Sequence, residues 1–172
     1  LFIEHDHVSL GGPIWRAFEA RGYSIERFLV VSEADYSSPN VKVTFPDFAQ
    51  YDIIVPMGAP YGAYEDERVG NWLLPELAAL KNAHNSGQPI LGICFGGQMM
   101  ARTLGGSVAR APKAVLEAWL AMDGGCAEVE SEGVDVSDLR AETKALQPIT
   151  DHNAFELVNN FLDRIASAEV VQ

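Results

Sequence analysis

The chain has 172 residues, 48% of them apolar, and a formal net charge of −12. That is enough apolar character for one domain with its own core, and the acidic balance excludes recruitment by a nucleic-acid backbone or an anionic membrane surface. Two cysteines, Cys94 and Cys126, with no Cys-x-x-Cys pair, exclude a disulfide framework and point to a reducing compartment, the cytoplasm.

In chain order, Leu1 to Glu4 reads as a short buried strand, and Gly11-Gly12-Pro13 opens a helix through Trp15, Phe18 and Ala20 that closes at Gly22. Ser24 to Val31 reads as a second strand, followed by a polar, turn-rich loop from Ser32 to Asn40. Tyr51 to Pro56 is a third strand, ending in the turn Met57-Gly58-Ala59-Pro60. The spacing of Trp72, Leu73, Leu77 and Leu80 predicts a helix from about Asn71 to Ala83, stopped by Asn85-Ser86-Gly87. Ile90 to Ile93 and Gly97 to Leu104 supply a further strand and helix.

Beyond that point the pattern is weaker. Ala114 to Met122 reads as a short amphipathic helix ended by Asp123-Gly124-Gly125, and Glu128, Glu130, Glu132, Asp135 and Asp138 as a solvated loop and helix start. A last helix from about Asp151 to Ala168 would bury Phe155, Val158, Leu162 and Ile165. Strands alternating with helices through short loops predict an α/β fold in a single domain over residues 1–172. Its sheet would be mostly parallel and open, with helices on both faces. No run of membrane-spanning length and no charged-then-apolar leader is expected.

The most telling stretch is Pro89 to Gln98, where a buried apolar run ends in Gly92-Ile93-Cys94-Phe95-Gly96 and a helical pattern starts at once. This is the pattern of a nucleophile elbow, in which glycines flank the reactive residue because a Cβ there would collide with the adjoining backbone. The free N–H groups opening the helix favour negative charge, hence a thiolate, at Cys94. An inert buried cysteine is the competing possibility, and glycines on both sides weigh against it. In a parallel sheet the active site lies beyond the carboxyl ends of the strands, where both Gly58-Ala59 and Cys94 fall. The amide of Phe95 and that of Gly58 or Ala59 are therefore candidate oxyanion donors.

Among the other candidates, His5-Asp6-His7 after Glu4 is weighed as a metal site and set aside, because alternate strand residues point to opposite faces; a polar loop at the mouth of the site is expected instead. His84 near a helix C-terminus reads as a surface residue, and His152 as a solvated first-turn residue with an outside chance of being a base. Cys126, in a glycine turn, reads as structural. No cofactor or metal is expected.

These residues resemble class I glutamine amidotransferases, in particular the stand-alone branch similar to GMP synthase. Gly92-Ile93-Cys94-Phe95-Gly96-Gly97-Gln98 is similar to the family's Gly-x-Cys-x-Gly-x-Gln signature. Val55-Pro56-Met57-Gly58-Ala59-Pro60, with the acidic run Tyr64 to Glu67 and Trp72 after it, is similar to its Gly-Gly-Pro turn. Leu104-Gly105-Gly106-Ser107-Val108 resembles the end of the helix after the nucleophile. The resemblance implies a flavodoxin-like fold and a cysteine-nucleophile enzyme. Cys94 would attack the side-chain amide of glutamine and release ammonia through a γ-glutamyl thioester, with Gln98 helping to hold the substrate.

L-glutamine or a γ-glutamyl compound is the small-molecule partner so implied, with an ammonia-accepting synthase subunit or a homo-oligomer as candidate protein partners. A γ-glutamyl peptide hydrolase and a non-catalytic binding or regulatory relative are the alternatives. The chain departs from the family in lacking its Phe-His-Pro-Glu motif, so no histidine or glutamate of a triad is assigned. After Lys113 it passes directly to Ala114-Val115-Leu116-Glu117-Ala118-Trp119-Leu120, which resembles the stretch located after His-Pro-Glu in relatives. An interruption at 113/114 is implied, either a segment unseen in this sequence or one removed from the protein. The usual placing of the C-terminal helices favours the first. Ala59 stands where relatives often carry glycine.

Overall fold

A computed structural model describes residues 1–9, 11–109 and 136–169. Three parallel strands, β1 (Phe2–Glu4), β2 (Arg27–Leu29) and β3 (Val55–Pro56), lie in the order β2-β1-β3. The register pairs Phe2, Ile3 and Glu4 with Arg27, Phe28 and Leu29 on one side, and Phe2 and Ile3 with Val55 and Pro56 on the other. Residues 89–93 continue the sheet beyond β3. Ile54 N–H donates to Pro89 O, Leu91 N–H to Ile54 O and Ile93 N–H to Pro56 O, with a parallel bridge at Ile54–Ile90.

Four helices cover this sheet: α1 (Gly12–Ala20), α2 (Asp66–Asn85), α3 (Phe95–Thr103) and α4 (Val136–Glu169). The two-residue period of the strands divides the core. Ile3 and Ile54 face Trp72, Leu73, Leu80, Phe95 and Met99 from α2 and α3. Phe2, Ile53, Val55 and Met57 face Ala17 and Phe18 of α1 and Val158 and Leu162 of α4. On the outer side of that second layer, Arg16 reaches Asp151 at 2.8 Å and Arg21 reaches Asp163 at 2.7 Å, tying α1 to α4. The α/β class and parallel sheet expected from the alternation are what the chain forms.

The element bounds differ in instructive ways. The strands expected over Ser24–Val31 and Tyr51–Pro56 shorten to Arg27–Leu29 and Val55–Pro56, because β1 offers only three residues to pair with. The helix expected from Asn71 begins at Asp66, where Asp66 and Glu67 place negative charge on its first turn. The helix expected from Gly97 begins at Phe95. The last helix is longer than expected and starts at Val136, so Asp138 lies within it. The expected helix Ala114–Met122, the 113/114 interruption, Cys126 and the acidic residues 128–135 lie outside the described residues.

Candidate functional site

Cys94 sits between the 89–93 segment and α3 with φ 55° and ψ −108°, and is the one non-glycine at positive φ among the described residues. The Gly96 N–H donates back to Ile93 O at 2.9 Å, closing a tight turn in which Cys94 takes the position that normally calls for glycine. The surrounding glycines make that conformation possible. A β-carbon on Gly92 would come within 2.7 Å of the Gly96 carbonyl group, and one on Gly96 would run into Pro56 O. The thiol is exposed and free.

Beyond the end of β3, the turn Gly58-Ala59-Pro60 lies against this elbow. A β-carbon on Gly58 would stand 3.8 Å from Cys94 Cβ, and Gly96 N–H also donates to Met57 O at 3.1 Å. The N–H groups of Gly58, Ala59 and Phe95 make no hydrogen bond among the described residues. Three donors therefore remain uncommitted around one exposed sulfur. Such an arrangement can hold a developing oxyanion.

The loop after Pro60 is tied to α3. Ala63 N–H donates to Gln98 Oε1 at 3.2 Å, and Arg102 binds both Ala63 O and the Asp66 carboxylate, at 2.6 and 3.1 Å for its two contacts with Asp66. Gly62 N–H donates to Glu65 Oε2 at 2.6 Å. Together these residues bound a cleft lined by Tyr61, Tyr64, Glu65, Arg68 and Gln98. The Arg102 guanidinium holds the Asp66 carboxyl below its ordinary 3.8, and burial pushes the Tyr61 phenol above its ordinary 10.0.

The histidines fall differently from expectation. His5 is not a polar loop residue at the mouth of the site: it is fully buried, with Nε2 against Glu76 and Nδ1 against Gly58 O. Asp6 is buried too, its Oδ1 accepting from the N–H groups of Val8 and Ser9 at 2.7 Å each. His152 lies well inside α4 rather than in a first turn, and is exposed; His84 is exposed near the end of α2, as expected. No histidine hydrogen-bonds Cys94 among the described residues. Sequence reasoning missed the His5–Glu76 pair, because nothing in the spacing of residues so far apart brings them together.

The fold and the elbow define a parallel α/β domain that presents an exposed cysteine at the carboxyl edge of its sheet. A family model described as glutamine amidotransferase class-I matches residues 13–154, and the chain belongs to that family. It is 37% identical over 67 residues to gamma-glutamyl peptidase 4 of Arabidopsis thaliana, covering 39% of this chain and 26% of the peptidase. It is 32% identical over 91 residues to a glutamine-hydrolyzing GMP synthase subunit of Sulfurisphaera tokodaii, covering 49% of this chain and 45% of the archaeal protein. A glutamine amido transferase from Methylobacillus flagellatus, known from its crystal structure, shares the fold with a TM-score of 0.52 at 24% identity, over 65% of this chain and 41% of that one. The chain thus spans less than half the length of each relative.

Proposed function

We propose that this domain hydrolyses the side-chain amide of glutamine, with Cys94 as nucleophile. The observation that carries the reading is the exposed Cys94 at φ 55°, packed against a Gly58 turn whose N–H groups are uncommitted. Attack by Sγ on the γ-carbon forms the S–C bond and places negative charge on the amide oxygen, which Phe95 N–H and an N–H of Gly58 or Ala59 stabilise by donating to it. The C–N bond then breaks and ammonia leaves with a proton from a general acid. Water hydrolyses the γ-glutamyl thioester, returning the thiol and releasing glutamate. Gln98, at the edge of the cleft, holds the substrate, and the ammonia passes to a separate synthase subunit.

The similarity to a γ-glutamyl peptidase supports a second reading, cleavage of a γ-glutamyl peptide bond through the same thioester. Labelling distinguishes them. A glutamine analogue with a chloromethyl ketone in place of the amide should alkylate Cys94, and free glutamine should slow it. Labelling that glutamine does not slow, but a γ-glutamyl dipeptide does, selects the peptidase. No labelling at all overturns both and leaves a binding or regulatory module.

A further inference from the structure

His5 follows β1 and is buried behind the Gly58 turn. Its Nδ1 lies 3.2 Å from Gly58 O, and its Nε2 lies 3.1 and 3.2 Å from the two carboxylate oxygens of Glu76, itself fully buried on α2. The ring is held on two further sides: Trp72 stacks on it at 5.5 Å, and Phe95 meets it at 4.9 Å. A carbonyl oxygen only accepts, so Nδ1 carries a proton toward Gly58, and a second proton lies between Nε2 and Glu76.

We infer that His5, braced by Glu76, is a positioning residue that sets the direction of the Gly58–Ala59 peptide and thereby makes Ala59 N–H the second oxyanion donor. This rests on the proposed acylation of Cys94. The peptide is trans, so its C=O and N–H point in opposite directions. With Gly58 O drawn inward to a buried ring, Ala59 N–H is turned outward, toward the side on which Cys94 is exposed. Rotating the peptide would leave a buried Nδ1–H without an acceptor, so the turn is locked before substrate arrives.

The test compares two reactions of the same sulfur in the full chain. Acylation by γ-glutamyl p-nitrophenyl ester forms an S–C bond, passes through an oxyanion and expels p-nitrophenolate, which needs no general acid. Alkylation by iodoacetamide displaces iodide and forms no oxyanion. His5→Asn keeps an N–H donor near the place of Nδ1 and loses Glu76; His5→Gln keeps the reach to Glu76 and loses Gly58. The acylation-to-alkylation ratio should fall about 10- to 100-fold in His5→Gln and much less in His5→Asn. Equal ratios in the two variants overturn the positioning role.

Should a His5 variant fail to fold, Glu76→Gln and Glu76→Leu decide. The glutamine amide can donate to Nε2 and leave Nδ1–H on Gly58, so its ratio should stay near that of the unaltered protein. Leucine frees the ring, and its ratio should fall; equal ratios again overturn the inference. If the unaltered protein is alkylated but never acylated, it is the proposed reaction that fails.

Discussion

Gly58 and Cys94 meet across the carboxyl edge of the sheet: a β-carbon on the first would lie 3.8 Å from that of the second. The two turns they belong to come from different strands, and Gly96 joins them by donating to both Ile93 O and Met57 O. The proposed chemistry depends on that junction.

Cys94 holds a backbone conformation that costs a side-chain-bearing residue about 1 to 2 kcal/mol. Cys94→Gly is therefore expected to raise stability by about 1 kcal/mol while abolishing labelling by the chloroketone. Urea midpoints and the mass of the labelled protein check both halves. A Cys94→Gly protein no more stable than Cys94→Ala would show that the conformation is unstrained.

Gly96→Ala should be costly in the opposite sense, because its methyl group would run into Pro56 O and the neighbouring backbone cannot yield cheaply. A loss of about 3 kcal/mol is expected, against less than about 1 kcal/mol for Gly70→Ala on α2, where the nearest side-chain atoms are 3.9 Å away. Thermal or urea unfolding of the two variants side by side gives the comparison.

Asp66 and Arg102 join the first turn of α2 to the last turn of α3. Because the folded-state value of Asp66 is depressed, its contribution is fully present above its ordinary 3.8 and disappears as pH falls through the lower folded value. The aspartate side chain is 45% exposed, so screening limits the gain to under about 1 kcal/mol. Asp66→Asn should thus be slightly less stable than the unaltered protein at pH 7, and the gap should close below about pH 4. Added salt should narrow the gap at neutral pH.

Arg27 bonds Glu4 through Nε and Nη2, the closest contact being 2.7 Å, and also lies 4.2 Å over the ring of Trp15. Glu4 is 1% exposed, so Arg27→Ala strands its carboxylate. A loss of about 3 kcal/mol is expected, and Glu4→Leu in the same chain should recover much of it by removing the stranded charge. Chemical denaturation of the single and double variants tests the coupling.

The elbow was legible in sequence because glycines at 92, 96 and 97 around one cysteine leave few conformations that fit. The parallel sheet was legible because turn residues punctuate apolar runs of strand length. Strand lengths were not, since they depend on how much partner backbone is available: Ser24 to Val31 has strand character along its length, yet β1 pairs with only three of its residues. The start of α2 was hidden because apolar periodicity begins at Trp72, one turn and more after the acidic residues that open the helix. His5 illustrates a different limit. Its neighbours in sequence, Asp6 and His7, suggest a polar loop, while its burial is decided by Glu76, Trp72 and Phe95 from distant stretches.

One face of the sheet is closed by Val158 and Leu162 of α4, packed on Phe2, Val55 and Met57 from the opposite part of the chain. During synthesis on the ribosome, β1 to β3 emerge long before that covering helix does. The nascent chain therefore carries an uncovered greasy sheet for most of its translation, and a chaperone that shields such surfaces has its work here before the domain is complete.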